Sequence, residues 1–138
     1  MMAGSQPVSH LPWQVSREEF VAAALEVGPR GACCTFLIDA SIPRAARSGY
    51  AALVIAYARA EEPVHIFTDG SAALLIRDGG VESGHVVARR IFDQMRKLSL
   101  EGTLRAGIAP LGSDPAGALN ASRKAAETAD PGGISVAP

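Results

Sequence analysis

Apolar and polar positions along the chain switch repeatedly between a helical and a strand period. Residues 1–12 are polar and contain Pro and Gly, which predicts a flexible N-terminal segment ahead of Trp13. Ser16 reads as a helix N-cap, and Glu19 three positions later completes a capping box. Phe20, Val21, Ala24 and Leu25 recur at helical spacing through Val27, and Gly28-Pro29-Arg30-Gly31 stops that helix. Residues 32–38, Ala-Cys-Cys-Thr-Phe-Leu-Ile, are apolar throughout, which predicts a central strand covered on both faces and ending at Asp39. The Ala-rich stretch 43–60 has no internal Pro and carries Tyr50, Leu53, Val54 and Tyr57. It reads as a helix, with Gly49 a mild weakness.

Two short apolar runs follow, Val64-His65-Ile66-Phe67 and Ala72-Ala73-Leu74-Leu75-Ile76, on either side of Thr68-Asp69-Gly70-Ser71. An Asp-Gly between such runs predicts a tight hairpin. Over 81–98, Val86, Val87, Ile91, Met95 and Leu98 form one stripe, while Arg89, Arg90, Asp93 and Lys97 fall largely on the other. This is an amphipathic helix. Residues 103–111 return to strand character, and Asp114 can cap a helix with Pro115 at its first position, running to about 129. Pro131-Gly132-Gly133 turns the chain into a last strand over 134–137. The order is therefore helix, then β-α-β-β-α-β, then a further helix and strand. It predicts an α+β fold with the split core of the ferredoxin-like class, an antiparallel sheet with helices packed on one face. An extra N-terminal helix and a C-terminal helix-strand flank that core. No internal repeat or low-complexity tract interrupts it, so residues 13–138 read as a single domain.

Bulk properties narrow the classes. A length of 138 residues suits one domain, and 48% hydrophobic with 20% charged residues is enough for a real core. A net charge of −1 provides no electrostatic reason to expect nucleic acid or an anionic membrane as partner. Residues 1–11 lack a charged start followed by an apolar stretch, so no signal peptide is expected, and no segment approaches a membrane span. Cys33 and Cys34 are adjacent in an apolar run and read as small buried hydrophobes in a reducing, cytoplasmic setting. His10, His65 and His85 lack zinc-ligand spacing, and Ser71 and Ser83 sit in no nucleophile elbow. Gly79-Gly80 and Gly132-Gly133 are loop pairs rather than phosphate-binding motifs. Arg89-Arg90 with Arg96-Lys97 make one side of the amphipathic helix basic, either a solvated face or a docking surface for an acidic partner.

From about Trp13 onward the element order resembles the GGDEF (diguanylate cyclase) domains of bacterial signalling proteins. Arg17-Glu18-Glu19-Phe20 is similar to the family's Asn-Arg-x-x-Phe entry helix. Phe36-Leu37-Ile38-Asp39-Ala40-Ser41 stands where the family's first strand ends in Asp-x-Asp. The hairpin matches in position the Gly-Gly-(Asp/Glu)-Glu-Phe turn, and Leu104-Arg105-Ala106-Gly107-Ile108-Ala109 resembles the Ser-x-Gly-Ile-Ala strand. Asp114 and the Ala-rich helix over 119–129 follow as in the family.

The resemblance implies a reaction joining two GTP molecules into cyclic di-GMP, with carboxylates holding divalent metal on the triphosphate. It also implies that most of the residues for it are absent. Asp39 keeps the first carboxylate position, and Ser41 replaces its partner. The signature turn reads Thr68-Asp69-Gly70-Ser71-Ala72, so Gly70 and Ser71 take the two acidic positions. Asp69 stands one place early, which in a tight hairpin points its side chain to the other face; it reads as a turn residue tolerant of the left-handed conformation and could substitute for the acidic position only if the turn were rebuilt. Arg47-Ser48-Gly49-Tyr50 has no counterpart of the guanine-recognising Asn-Asp-x-x-Gly-His, and Ala129 and Gly133 align with the phosphate-contacting Lys and Arg. The expectation is a domain with no catalytic residues, no metal and no cofactor. It would act as a signalling or scaffold module on a protein partner, with a homodimer as one form. The alternative is a non-catalytic receptor for cyclic di-GMP or GTP. That alternative rests on Arg59-Ala60-Glu61-Glu62, which stands at the spacing of the family's Arg-x-x-Asp product-binding site; Arg59 would grip phosphate or guanine and Glu62 would accept from the base.

Overall fold

The structure, a computed structural model, describes residues 14–47, 49, 63–112 and 114–138. The first helix, α1 (Arg17–Val27), begins at Ser16. The Ser16 hydroxyl accepts from the Glu19 amide and the Glu19 carboxylate accepts from the Ser16 amide, the reciprocal box read from the sequence. Gly28, at φ 78°, ends the helix. Next come β1 (Ala32–Ile38), β2 (Val64–Ile66), β3 (Ala72–Ile76), α2 (Gly80–Lys97), β4 (Leu104–Pro110), α3 (Pro115–Thr128) and β5 (Ile134–Val136). Asp114 caps α3 through the Gly117 amide, with Pro115 at the first position. Of the helix expected over 43–60, residues 44–47 and 49 are helical and the rest lies outside the described residues, as does the expected flexible segment over 1–12.

The strands form one sheet in the order β2-β3-β1-β4-β5. β1 runs antiparallel to both β3 and β4, β2 pairs antiparallel with β3, and β5 adds parallel to β4. Because side chains alternate across a strand, β1 divides the interior in two. Cys34 and Phe36 face a core with Leu74, Ile91, Phe92, Met95 and Ile108, whereas Cys33 faces Phe20, Leu75, Leu111 and Leu119. The sheet thus carries α2 on one face and α1 with α3 on the other. The helix of the split core described here, α2, lies on one face, and the added helices α1 and α3 cover the other, as a β1 that is apolar at both parities requires. Each large side chain buried this way contributes about 1.5–3 kcal/mol. Phe36 and Phe92 meet edge to face at 5.9 Å.

The face under α3 is tighter. A Cβ on Gly107 would lie 2.0 Å from the Ser122 carbonyl oxygen and 2.2 Å from the Ala126 amide, so only glycine lets α3 settle on β4. Beside this contact, the Thr35 and Ser122 hydroxyls bond at 2.6 Å with both residues fully buried. Burial pushes the Cys33 thiol up to about 11, against hydrogen bonds from Ser122 and Thr35, so both cysteines are inert core residues rather than nucleophiles.

Candidate functional site

Three segments converge where β1 ends: the loop after Ile38, the turn between β2 and β3, and the middle of α3. They enclose a cleft of about 360 Å³ lined by Leu37, Ile38, Asp39, Ala40, Asp69, Arg105, Arg123 and Glu127. Asp39 sits at its mouth. Its amide donates to the Thr103 carbonyl, and its Oδ1 accepts from the Ser41 amide at 2.9 Å. The Ser41 amide and hydroxyl, with the nearby positive charge of Arg105, hold the Asp39 carboxyl below its ordinary value.

The turn departs from the tight hairpin expected of Asp-Gly. The Gly70 amide donates to the Phe67 carbonyl and the Phe67 amide to the Ser71 carbonyl, which leaves a three-residue loop of Thr68, Asp69 and Gly70. This is the hairpin in which a bulge residue takes the left-handed conformation. That residue is Gly70, at φ 91°, and not Asp69, whose expected left-handed role is thereby corrected. Gly70 is also spatially confined, since a Cβ there would stand 2.6 Å from the Arg47 Cβ.

Freed from that role, the Asp69 carboxylate turns toward α3. Its Oδ2 accepts from Arg123 Nη2 at 2.7 Å, and its Oδ1 accepts from the Ser71 amide at 2.9 Å and, more distantly, from Arg123 Nη1 at 3.5 Å. Burial alone would raise the Asp69 carboxyl, but the Arg123 and Ser71 bonds and the Arg123 charge together hold it below its ordinary value. The guanidinium of Arg123 also lies 4.6 Å above the Phe67 ring. Asp69 and Asp39 therefore border one cleft, but Asp69 enters it as half of an ion pair.

The other side of the turn is closed differently. Arg47 donates through Nε to the Ile42 carbonyl at 3.0 Å, through Nη2 to Ala40 at 3.2 Å and, weakly, through Nη1 to Asp69 at 3.5 Å. One side chain thus ties the loop after β1 to the hairpin turn. Ser71 is 1% exposed, and its hydroxyl accepts from the Ile38 amide at 2.9 Å. At the strand end, then, the hydroxyl satisfies a buried backbone donor that would otherwise lack a partner. Thr68 lies exposed in the loop, and Ala72 is buried where β3 begins. Arg59 and Glu62 lie outside the described residues.

Sequence reasoning singled out Asp39 and the turn but assigned no role to Arg123, Arg47 or Arg105. Arg123 meets Asp69 across a separation of 54 residues, for which no local spacing gives a signal. A divalent metal, which the resemblance implies, finds a poor donor set here. Asp69 is committed to Arg123, and among the described residues no three His, Cys, Asp or Glu side chains gather to hold an ion. None of the described helices is long and apolar enough to cross a membrane.

No protein-family model matches the sequence, and no curated protein does. Solved structures do match. The GGDEF domain of YfiN (TpbB) from Pseudomonas aeruginosa superposes with a TM-score of 0.66 at 17% identity, over 95% of this chain and 99% of that one. The FimX GGDEF domain from the same organism has the same score and identity over 94% of this chain and 99% of that one. This is the GGDEF-domain fold. At such low identity the likeness concerns the fold alone. Two further GGDEF-fold structures were solved with binding partners. The P. aeruginosa diguanylate cyclase SiaD was solved in complex with its activator SiaC (TM-score 0.69, 12% identity, 94% of this chain and 62% of that one). DgcB of Caulobacter crescentus was solved in complex with c-di-GMP (TM-score 0.61, 15% identity, 88% of this chain and 76% of that one). On the GGDEF fold of this chain, Asp39 and residues 68–72 occupy the end of β1 and the β2–β3 turn, the two places at which the sequence placed them.

Proposed function

We propose that this chain is a GGDEF-fold signalling or scaffold module that makes no cyclic di-GMP and acts by binding another protein. The observation that carries the reading is the use to which the turn is put. Its one carboxylate, Asp69, is ion-paired with Arg123 at 2.7 Å, and the neighbouring Ser71 hydroxyl is buried on the Ile38 amide. Groups engaged this way serve the fold, and a domain that keeps its fold without free catalytic groups is left with its surfaces. Arg47, bridging the turn to the loop after β1, supports the same reading. SiaD, a diguanylate cyclase that contains this fold, was solved in complex with a protein, its activator SiaC. The test is incubation of the purified protein with GTP and magnesium or manganese, followed by mass detection of cyclic dinucleotide. No product above a metal-free control is expected, and its formation would refute the reading.

A second reading is a non-catalytic receptor for cyclic di-GMP or GTP through Arg59 and Glu62. The DgcB complex with c-di-GMP favours it, together with the Arg-x-x-Glu spacing. Calorimetric titration of wild type and Arg59→Ala with each nucleotide separates the two. Binding that is lost on substitution supports the receptor, and no binding supports the scaffold.

A further inference from the structure

Helix α2 turns Gly84, Ala88, Ile91, Phe92 and Met95 to the core, so the residues between them make its outer face. At roughly 3.6 residues per turn, Arg89 and Arg96 fall on one side of that face and Arg90 and Lys97 on the other, with Val86 and Asp93 on the midline. All four cations stand three or four residues from Asp93, the spacing at which helical side chains meet. That carboxylate is engaged by Arg96 at 2.9 Å. Among the described residues, no carboxylate pairs with Arg89, Arg90 or Lys97. The helix dipole accounts for Arg96 and Lys97, which lie in the last turn. It does not account for Arg89 and Arg90 in the middle of the helix, where neighbouring like charges repel. The opposite side of the sheet differs in sign, since α1 and α3 carry Glu18, Glu19, Glu26 and Glu127 exposed against Arg17 and Lys124. A chain of net charge −1 thus keeps an uncompensated positive face on α2.

We propose that the outer face of α2 docks an acidic helix of another protein. The inference rests on the reading that this chain acts by binding a protein, and it names the surface and the chemistry of that partner. What identifies the occupant is charge complementarity at a fixed spacing. The pairs Arg89-Arg90 and Arg96-Lys97 are seven residues apart, roughly 10 Å along the helix axis. A facing helix with carboxylates seven residues apart meets both pairs in one register. Val86, 59% exposed, lies on the midline one turn before Arg89 and Arg90 and gives that helix an apolar anchor. Arginine beside an apolar contact suits a protein interface, where arginine is enriched and aliphatic contact excludes water. Other anionic surfaces fit less well. Asp93 within the quartet and Glu82 at its N-terminal end repel a phosphate backbone, whose charges follow one another closely. A membrane surface calls for a broad apolar face, and of the large apolar side chains of α2 only Val86 is exposed.

Fluorescence anisotropy tests this with the full chain and a labelled, Ala-rich helical peptide. The peptide carries Glu-Glu pairs seven residues apart and a Leu one turn outside one pair. Saturable binding is expected, roughly ten-fold weaker for the Arg89→Gln/Arg90→Gln protein, which loses two charge pairs, and several-fold weaker for Val86→Ser. Glutamine keeps the helix propensity of arginine, so wild-type circular dichroism is expected. Lys124→Gln, on the opposite side of the sheet, should bind the peptide as the wild type does. A peptide with its Glu pairs five residues apart should bind several-fold more weakly, because that spacing carries the second pair round to another side of the helix. No binding of the first peptide overturns the proposal, and so does equal binding of the second or undiminished binding by Arg89→Gln/Arg90→Gln. Tighter binding of oligothymidylate or of phosphatidylserine vesicles overturns it too, and assigns the face to nucleic acid or to a membrane. A rise in mass in light scattering that the arginine variant abolishes assigns it to a second copy. Failure here without formation of cyclic dinucleotide leaves the scaffold reading standing. Cyclic dinucleotide made with peptide binding intact refutes the absence of cyclase activity and leaves the docking surface.

Discussion

Replacing Asp69 by Asn tests whether the turn carboxylate is a structural group. Asn keeps the volume and can still accept from the Ser71 amide, so the change removes little beyond the charge facing Arg123. The pair is short, at 2.7 Å, with side chains 31% and 27% exposed. Fully exposed pairs contribute roughly 0.2–1 kcal/mol, and with allowance for remaining solvent screening this one should contribute about 1 kcal/mol. Arg123 keeps its contact with Phe67 in the variant, so that part of its energy stays. Urea unfolding followed by circular dichroism should show Asp69→Asn about 1 kcal/mol less stable at pH 7. Arg123→Gln should lose more, because the contact with Phe67 goes too, and the double variant should fall short of the sum by about 1 kcal/mol, which is the coupling. The pH dependence has a definite sign. The folded carboxyl lies below its unfolded value, so the stabilisation is complete above about pH 4 and is lost as pH falls through the folded value. The gap between wild type and Asp69→Asn should therefore close in acid. A gap of the same size at pH 7 and pH 2.5, or a coupling indistinguishable from zero, would refute the argument.

Two further outcomes concern the face under α3. Ser122→Ala leaves the fully buried Thr35 hydroxyl without its 2.6 Å partner and should cost about 1–3 kcal/mol in urea unfolding. Combining it with Thr35→Val should cost less than the two single losses added together, and strict additivity would show that the hydroxyls do not depend on each other. Gly107→Ala drives a methyl into the α3 backbone and should destabilise by about 1–3 kcal/mol or more, read as a lowered thermal midpoint. A midpoint within a degree of wild type would mean that α3 is free to shift.

Local physics made much of the fold legible from the sequence. The Ser16–Glu19 box, the Pro115 start of α3 and the stop at Gly28 depend on neighbours within a few residues, and each stands as read. An unbroken apolar β1 required two covered faces, and both are covered. Asp39 at the end of that strand and Gly70 in the turn were legible for the same reason.

What the sequence left open was decided by contacts between distant segments. Asp-Gly specified a turn, but whether its loop held two or three residues was settled by the pairing of β2 with β3. That pairing passed the left-handed position to Gly70 and left the Asp69 side chain free to reach Arg123. Thr35 and Ser122, 87 residues apart, meet only because Gly107 admits α3 to the sheet. A capping box is fixed by the geometry of a single helical turn. An ion pair or a buried hydroxyl pair depends instead on where whole elements settle, and no local spacing encodes that.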